Sequence, residues 1–160
     1  MKNSLRKEFI HKLNIRGDIM SIFRLFCPIV EKSWVPGWEC NMLYSETGIA
    51  EKNCVFSTKH ADMPENIWIC SIYNLGIEVE YIRITPGHFI TVINIKTLQV
   101  SDITQCNVKY THTALTEGGA NFVESHFTEE LFIKQIDSWQ DEISSYLRIK
   151  NRLPNNGNSF

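Results

Sequence analysis

Residues 88–147 decide the fold: HFITVINIKTLQVSDITQCNVKYTHTAL (His88–Leu115) leads through TEGGA to NFVESHFTEELFIKQIDSWQDEISSYL (Asn121–Leu147). The first part alternates apolar and polar residues, which is typical of two long strands, His88–Leu98 and Gln105–Leu115. The last part predicts one long helix, because its apolar residues recur as they do on one helix face: Phe127, Leu131, Ile136, Trp139, Ile143 and Leu147. Such a helix needs a sheet to cover its apolar face. A curved sheet closed by this helix leaves room for a cavity between the two.

The preceding chain supplies more strands and two short helices. Asp18 is a suitable N-cap for a helix over Ile19–Phe26, and Pro28 suits the first turn of a second helix, Pro28–Trp34. Five further segments have the composition of strands: Lys7–Ile15, Trp38–Ser45, Asn53–Lys59, Ile67–Tyr73 and Ile77–Ile84. Their connections are too short for parallel crossovers, so the sheet is predicted to be antiparallel and the fold class α+β.

Length and composition narrow the function. A chain of 160 residues predicts one domain, over residues 1–147, followed by a flexible tail over residues 148–160. The formal net charge of −2 gives no basic footprint for nucleic acid. No apolar run approaches the roughly 20 residues of a membrane span, and the first residues do not resemble a secretion signal. These features predict a cytoplasmic protein without stable membrane insertion.

The cysteines favour a reduced compartment rather than a disulfide framework. There are five of them, an odd number, and no Cys-x-x-Cys pair occurs. Four lie in apolar, strand-like runs, where a thiol behaves as a small buried hydrophobic group. The full set is Cys27, Cys40, Cys54, Cys70 and Cys106.

Several stretches resemble a bacterial group of the START-like superfamily, also called SRPBCC, whose uncharacterised members are usually described as polyketide cyclase/dehydrase-like. The resemblance covers about Lys7–Leu147 and is carried by these runs: Cys27-Pro28-Ile29-Val30-Glu31 with Trp34 and Gly37-Trp38; Tyr44–Gly48 with Cys54-Val55-Phe56; Glu80–Gly87; Thr113–Gly118; and Trp139 with Tyr146-Leu147.

The resemblance implies a helix-grip fold. In such a fold a curved, seven-stranded antiparallel sheet wraps around the C-terminal helix, and two short helices after the first strand close one end. It also implies a cavity between sheet and helix, which in members of the superfamily takes lipids, sterols, polyketides or plant hormones. It is specific for the fold and weak for activity, because one fold hosts many functions.

Strand alternation indicates which side chains face that cavity. In Asn107–Leu115 the more apolar face carries Tyr110 and His112. In Ile77–Ile84 we assign Tyr81 and Arg83 to the inner face, because the alternative buries two carboxylates. Trp38, Cys40, Met42 and Tyr44 form the inner face of their strand. The predicted ligand-binding residues are Trp38, Met42, Tyr44, Tyr81, Arg83, Tyr110, His112 and Trp139.

Three of these side chains are candidate catalytic residues. Arg83 could hold a carboxylate or an enolate, and His112 could move protons near neutral pH, with Tyr110 beside it. The alternative interpretation is structural: Tyr110 and His112 are core residues with satisfied polar tips, and the Arg83 side chain extends to the edge of the sheet.

Two other motifs suggest chemistry but have simpler interpretations. His126 with Glu129 and Glu130 has helical spacing but lacks a further ligand, so we predict no metal site and no cofactor. Gly118-Gly119 predicts a strand-to-helix bend that needs a positive φ rather than a phosphate loop, since no Gly-Lys-Ser/Thr follows.

The leading hypothesis is a protein that binds a small apolar or amphipathic, lipid- or polyketide-like molecule between sheet and helix. The alternative is a cyclase, aromatase or dehydratase that uses the same pocket. A protein–protein module is least favoured, because it needs a large exposed apolar patch, whereas the apolar residues mostly alternate into the core. The sequence does not identify the ligand or the oligomeric state.

Overall fold

A computed structural model describes residues 4–152. It contains seven strands and four α-helices in α+β order. The strands are β1 (Arg6–Arg16), β2 (Asn41–Tyr44), β3 (Val55–Thr58), β4 (Asn66–Asn74), β5 (Glu78–Thr85), β6 (Phe89–Val100) and β7 (Ile103–Ala114). The helices are α1 (Ile19–Phe23), α2 (Pro28–Glu31), α3 (Glu117–His126) and α4 (Glu129–Arg152).

The seven strands form one antiparallel sheet in the order β1-β7-β6-β5-β4-β3-β2. The chain therefore runs as a meander from β2 to β7, and β1 then pairs with β7 from the other side. Helix α4 lies along β1 at the edge of this sheet, and Tyr110 of the neighbouring strand β7 contacts Phe132 and Trp139 of the helix. The predicted antiparallel α+β architecture is confirmed.

The two short helices connect β1 to β2, as predicted, and both are shorter than the sequence indicates. The Asp18 carboxylate accepts a hydrogen bond from the Ser21 amide at 3.0 Å and caps α1. Residues Arg24–Phe26 continue α1 as a single 3-10 turn. Pro28 occupies the first turn of α2, which ends at Glu31. The indole of Trp34 donates to the Leu25 carbonyl at 2.8 Å and joins the two helices.

The C-terminal helix is broken, unlike the single helix over Asn121–Leu147 that periodicity predicts. Phe127 separates α3 from α4 with extended backbone angles (φ −105°, ψ 91°). This conformation points its ring into the sheet, where it stacks on His112 with ring centroids 4.0 Å apart. Lys7 donates to the Phe127 carbonyl at 3.2 Å, and the Thr128 hydroxyl accepts from the Leu131 amide of α4. The pattern missed the break because Phe127 fits the apolar stripe.

Three apolar residues of α4 are fully packed on the sheet: Phe132, Ile136 and Ile143. Leu131 was predicted to belong to the same stripe, but it is 53% exposed. The helix also continues to Arg152, so residues 148–152 are helical rather than part of a flexible tail. The remainder of the predicted tail, residues 153–160, lies outside the described residues.

The glycine pair does not form the bend with positive φ that the sequence predicts, because both residues lie in the first turn of α3. Neither Gly118 nor Gly119 has a positive φ. Gly119 instead lies in the first turn of α3, directly against the β5–β6 turn. A Cβ atom there would stand 1.8 Å from the His88 carbonyl oxygen. Glycine at this position therefore permits a close backbone approach, and the Thr116 hydroxyl caps the same turn by accepting from the Gly119 amide at 3.0 Å.

The convex face of the sheet is partly apolar. Next to its charged residues it carries six aliphatic side chains on β4, β5 and β6, each only partly buried. They are Ile67, Ile69, Ile82, Ile84, Ile90 and Val92.

Within residues 4–152, no helix is both long and apolar enough to cross a membrane.

Candidate functional site

A cavity of about 240 Å³ lies between the concave face of the sheet, α2 and α4. Its walls are largely aromatic: Trp38, Phe56, Trp68, Tyr81, Tyr110 and Trp139. Ile93 and Ile95 of β6 form part of its floor. The mouth is marked by lining residues that remain exposed, among them Gly37, His60 and Gln135. The sequence therefore builds an aromatic chamber that opens between the α2–β2 connection, the β3–β4 connection and α4.

Arg83 brings a guanidinium group into this chamber. It lies between two aromatic rings, with its central carbon 5.4 Å from the centre of Trp68 and 5.8 Å from that of Phe89. Its Nη2 donates to the Thr91 hydroxyl at 3.1 Å, but its buried Nε has no hydrogen-bond partner. Burial lowers the pKa of the guanidinium, yet arginine stays charged at any ordinary pH. An unpaired buried donor of this kind favours a ligand atom that accepts a hydrogen bond.

His112 is linked to Arg83 through one hydroxyl. Arg83, Thr91 and His112 are neighbours across β5, β6 and β7, and the Thr91 oxygen lies 2.8 Å from Nδ1 of His112. Burial and the nearby positive charges of Arg83 and Lys7 lower the pKa of His112 to about 3. The imidazole is therefore neutral near pH 7. Nδ1 of a neutral ring can accept a hydrogen bond from the Thr91 hydroxyl, while the oxygen of that hydroxyl accepts one from Arg83.

Glu31, at the end of α2, is a site residue that the sequence interpretation did not select. Its side chain lines the chamber and accepts no hydrogen bond from the described residues. Burial raises the pKa of its carboxyl to about 8. The only signal in the sequence is one acidic residue after the apolar run Pro28-Ile29-Val30, and a helix of one turn has too little periodicity to show which way that residue points.

Tyr110 is close enough to Arg83 and Glu31 for both charges to act on its phenol. Burial raises the pKa of its phenol well above the usual value, with Arg83 opposing the rise and Glu31 adding to it. Its hydroxyl makes no hydrogen bond with the described residues and is open to the chamber, whereas the Tyr81 hydroxyl is held by the Phe26 carbonyl at 2.8 Å. The two tyrosines thus differ in role: Tyr81 joins the helical cap, residues 19–38, to the sheet, and Tyr110 has a hydroxyl without a partner among the described residues.

A second, smaller cavity of about 160 Å³ adjoins the first near the break between α3 and α4. Arg83, Tyr110 and Gln135 line both cavities, so these three side chains form the partition between them. His112 and Phe127 line only the smaller one. The arginine is therefore accessible from two sides.

The structure brings together most of the predicted ligand-binding residues. Those that line the larger cavity are Trp38, Tyr81, Arg83, Tyr110 and Trp139, and His112 lines the smaller one. Met42 packs against the core outside both cavities.

Tyr44 is the exception to the predicted inner face, since it is 56% exposed and its hydroxyl lies 3.4 Å from the Glu46 carboxylate. A register shift between Met42 and Tyr44 breaks the strict alternation of β2 and turns Tyr44 outward.

The group of His126, Glu129 and Glu130 lies on the exposed helix surface. Nδ1 of His126 contacts the Ser125 hydroxyl at 2.8 Å, and the His126 ring stacks on Phe122 at 4.1 Å. Across residues 4–152, no cluster of three or more histidine, cysteine, aspartate or glutamate side chains is arranged to hold a metal ion.

Comparison with known proteins gives the fold and not the function. Neither a known protein-family model nor a curated protein sequence matches this chain. Solved structures do match it. A hypothetical protein from Helicobacter pylori is 9% identical, with a TM-score of 0.69 over 88% of this chain and 87% of that one. An uncharacterised protein from Rhizobium leguminosarum is also 9% identical, with a TM-score of 0.66 over 92% and 97%.

Norcoclaurine synthase from Thalictrum flavum is a third similar structure, 11% identical, with a TM-score of 0.63 over 88% of each chain. Identities this low carry the architecture alone. In these neighbours, as here, a curved antiparallel sheet wraps a C-terminal helix. The chain therefore has a helix-grip fold, as the sequence resemblance implies.

Proposed function

We propose that this protein binds a small amphipathic molecule in the aromatic chamber between the sheet, α2 and α4. The observation that carries the proposal is the buried Nε of Arg83, which has no partner among the described residues although it borders a cavity of about 240 Å³. A site with apolar walls and a few polar anchors is typical of small-molecule binding. Transfer of apolar ligand surface out of water stabilises such a complex by about 25 cal/mol per Å².

The size of the chamber restricts the ligand. A volume of about 240 Å³ lies below the roughly 300–1,000 Å³ of most drug-sized pockets. The flat aromatic walls favour a flat ligand, because offset and edge-to-face ring contacts add to the free energy of burial. A molecule with one or two rings and an oxygen that accepts from Arg83 suits this space better than a long acyl chain.

An enzyme of the cyclase, aromatase or dehydratase type remains the second candidate, and Arg83 supports it because a fixed cation stabilises a developing oxyanion. His112 supports it less, since a histidine with a pKa of about 3 is a weak base. Glu31, with a pKa of about 8, is better suited to exchange a proton near neutral pH. Loss of turnover in Glu31→Gln with retained binding would favour this alternative.

The test of binding is to fill the chamber. Ile93 is buried and lines the cavity, so Ile93→Trp should occupy part of it and lower the affinity for anilinonaphthalene sulfonate at least tenfold. Ile10→Trp is the matched control, because Ile10 is 63% exposed on β1. Fluorescence titration measures both, with circular dichroism to show that the fold survives. Equal dye affinity in the folded Ile93→Trp variant and the control would contradict the proposal.

A further inference from the structure

The chamber holds two ionisable groups of opposite type that do not pair with each other. Glu31 lines it from α2 and Arg83 from β5, yet no ion pair within 4 Å joins them. Both charges act on the phenol of Tyr110: Arg83 lowers its pKa and Glu31 raises it. The buried Nε of Arg83 lacks a hydrogen-bond partner among the described residues, and the half-buried Glu31 carboxylate makes no ion pair with them. The site thus offers two separate positions for a polar ligand group, one at Arg83 and one at Glu31.

Such an arrangement costs free energy unless a bound molecule supplies the missing partners. A buried polar group without a partner costs free energy, and a buried charge costs more. One ligand group could satisfy Arg83 and leave Glu31 unmatched. A ligand with complementary groups at both ends satisfies both positions at once, while its apolar middle lies against the aromatic walls.

We propose that the ligand is dipolar: an aromatic or other flat molecule with an anionic or carbonyl oxygen at Arg83 and a basic nitrogen at Glu31. This inference rests on the proposed function, since it specifies the ligand of that same site. The oxygen accepts from Nε of Arg83 and lies within range of the free Tyr110 hydroxyl. The nitrogen, as an ammonium group, donates to the Glu31 carboxylate and is also attracted by ring faces such as those of Trp38 and Trp139.

The proton balance of this contact is simple. In the empty site burial holds much of the Glu31 carboxyl in its neutral form at pH 7. Binding of a ligand that is already an ammonium ion then requires Glu31 to release its proton to the buffer. A free amine instead takes that proton directly, and both routes end in an ammonium–carboxylate pair. The other titratable groups that face Glu31 are the phenols of Tyr81 and Tyr110 and the thiol of Cys40.

The experiment uses matched probes on the whole protein. Para-(aminomethyl)benzoate and its homologue with one more methylene carry both groups. Para-ethylbenzoate carries only the carboxylate, para-isopropylbenzylamine only the amine, and para-isopropyltoluene neither. Titration calorimetry at pH 7, in two buffers of different ionisation enthalpy, gives affinities and proton release. We expect at least one of the two dipolar probes to bind tenfold or more tightly than either single-charge probe, with net proton release for the amines only.

Two variants show which side chain binds each end of the ligand. Glu31→Gln should weaken the amine-bearing probes tenfold or more, abolish the proton release and leave para-ethylbenzoate unchanged. Arg83→Met should weaken the carboxylate-bearing probes and leave para-isopropylbenzylamine unchanged. Glu130→Gln and Lys12→Met, both on the exposed surface, are the matched controls and should change nothing.

The outcomes separate the two proposals. If para-isopropyltoluene and the charged probes all fail to bind, the proposed binding function fails as well. If the neutral probe binds but neither dipolar probe exceeds the single-charge probes, the chamber is an apolar site and the dipolar inference is overturned. Equal loss of all probes in both variants would also overturn it, because the side chains would then act only on the shape of the cavity.

Discussion

Glu31 and His112 respond to burial in opposite ways, because burial disfavours the charged form of each. For the carboxyl of Glu31 the neutral form is the protonated one, and its pKa rises from 4.5 to about 8. For the imidazole of His112 the neutral form is the deprotonated one, and its pKa falls from 6.5 to about 3. Each shift makes the stability of the fold depend on pH, with opposite sign.

The direction in which Glu31 changes stability with pH follows from the protons that the folded and unfolded chains bind. Between about pH 4.5 and 8 the folded chain holds this proton and the unfolded chain does not, so stability falls as pH rises through that window. His112 acts oppositely: between about pH 3 and 6.5 the unfolded chain holds a proton that the folded chain lacks, so stability falls as pH decreases. The two slopes partly cancel between pH 4.5 and 6.5. From pH 6.5 to 8 the Glu31 slope acts without that opposition.

We therefore predict that Glu31→Gln changes the pH dependence of stability on the alkaline side. The difference in unfolding free energy, variant minus wild type, should rise with pH between 6.5 and 8 by up to about 1.4 kcal/mol per pH unit, the slope for one proton. Urea titrations at half-unit pH steps measure it, and His112→Gln should leave this window unchanged. A flat difference curve would mean that Glu31 is already ionised in the empty protein.

Single residues were predictable from sequence where strand alternation applied. Tyr81 and Arg83 face the chamber because the alternative buried two carboxylates, and Tyr110 and His112 follow from the more apolar face of β7. Alternation failed for Tyr44, since the register shift in β2 has no signature that a single sequence reveals. Glu31 was missed because one helical turn does not define a face.

At the scale of elements, the junction between the sheet and α3 depends on contact distances rather than on propensity. Thr116 donates to the Gly87 carbonyl at 2.8 Å and accepts from the Gly119 amide, which fixes the first turn of α3 to the β5–β6 turn. Gly119 then lies so close to His88 that no side chain fits. Gly118, one residue earlier, has no neighbouring atom closer than the Thr116 hydroxyl at 4.0 Å.

This contrast gives a matched pair of variants. Gly119→Ala should destabilise the protein by about 1–3 kcal/mol or more, because its Cβ would overlap backbone that can move only together with the β5–β6 turn. Gly118→Ala should be neutral or stabilising by up to about 1 kcal/mol, since alanine is the better helix former. Urea midpoints followed by circular dichroism decide the result. Equal effects of the two substitutions would show that helix propensity, not the His88 contact, governs this turn.

Elements were the best-predicted level, and the exceptions have physical causes. The order of strands and helices follows from alternation and short connections, both local properties of the chain. The break at Phe127 does not, because it depends on a tertiary contact: the ring leaves the helix to stack on His112 of β7. A periodic pattern records which residues are apolar and cannot record that one of them is bound elsewhere.

At the scale of the whole molecule, the chamber belongs to no single element. Its lining comes from α2 and the turn after it, from five of the strands or their ends, and from α4. These parts are distant in sequence, and Trp139 of α4 contacts Trp34 and Phe26 of the helical cap, with ring centroids 5.9 and 6.3 Å apart. A molecule in the chamber therefore touches the cap, the sheet and the long helix at once. The existence of such a space and the position of Arg83 in it could be predicted from the sequence, but the position of Glu31 could not.

That assembly predicts a coupled response to ligand. Binding of para-ethylbenzoate should slow amide hydrogen exchange in the cap around Val35–Trp38 and in α4 around Gln135–Trp139 together, because both segments line the occupied chamber. Mass spectrometry of peptides after timed exchange measures this, with α3 as an internal reference that should change little. The same ligand added to Ile93→Trp should protect neither segment. Protection of α4 without the cap would place the ligand in the smaller cavity beside His112, where α2 has no contact with it.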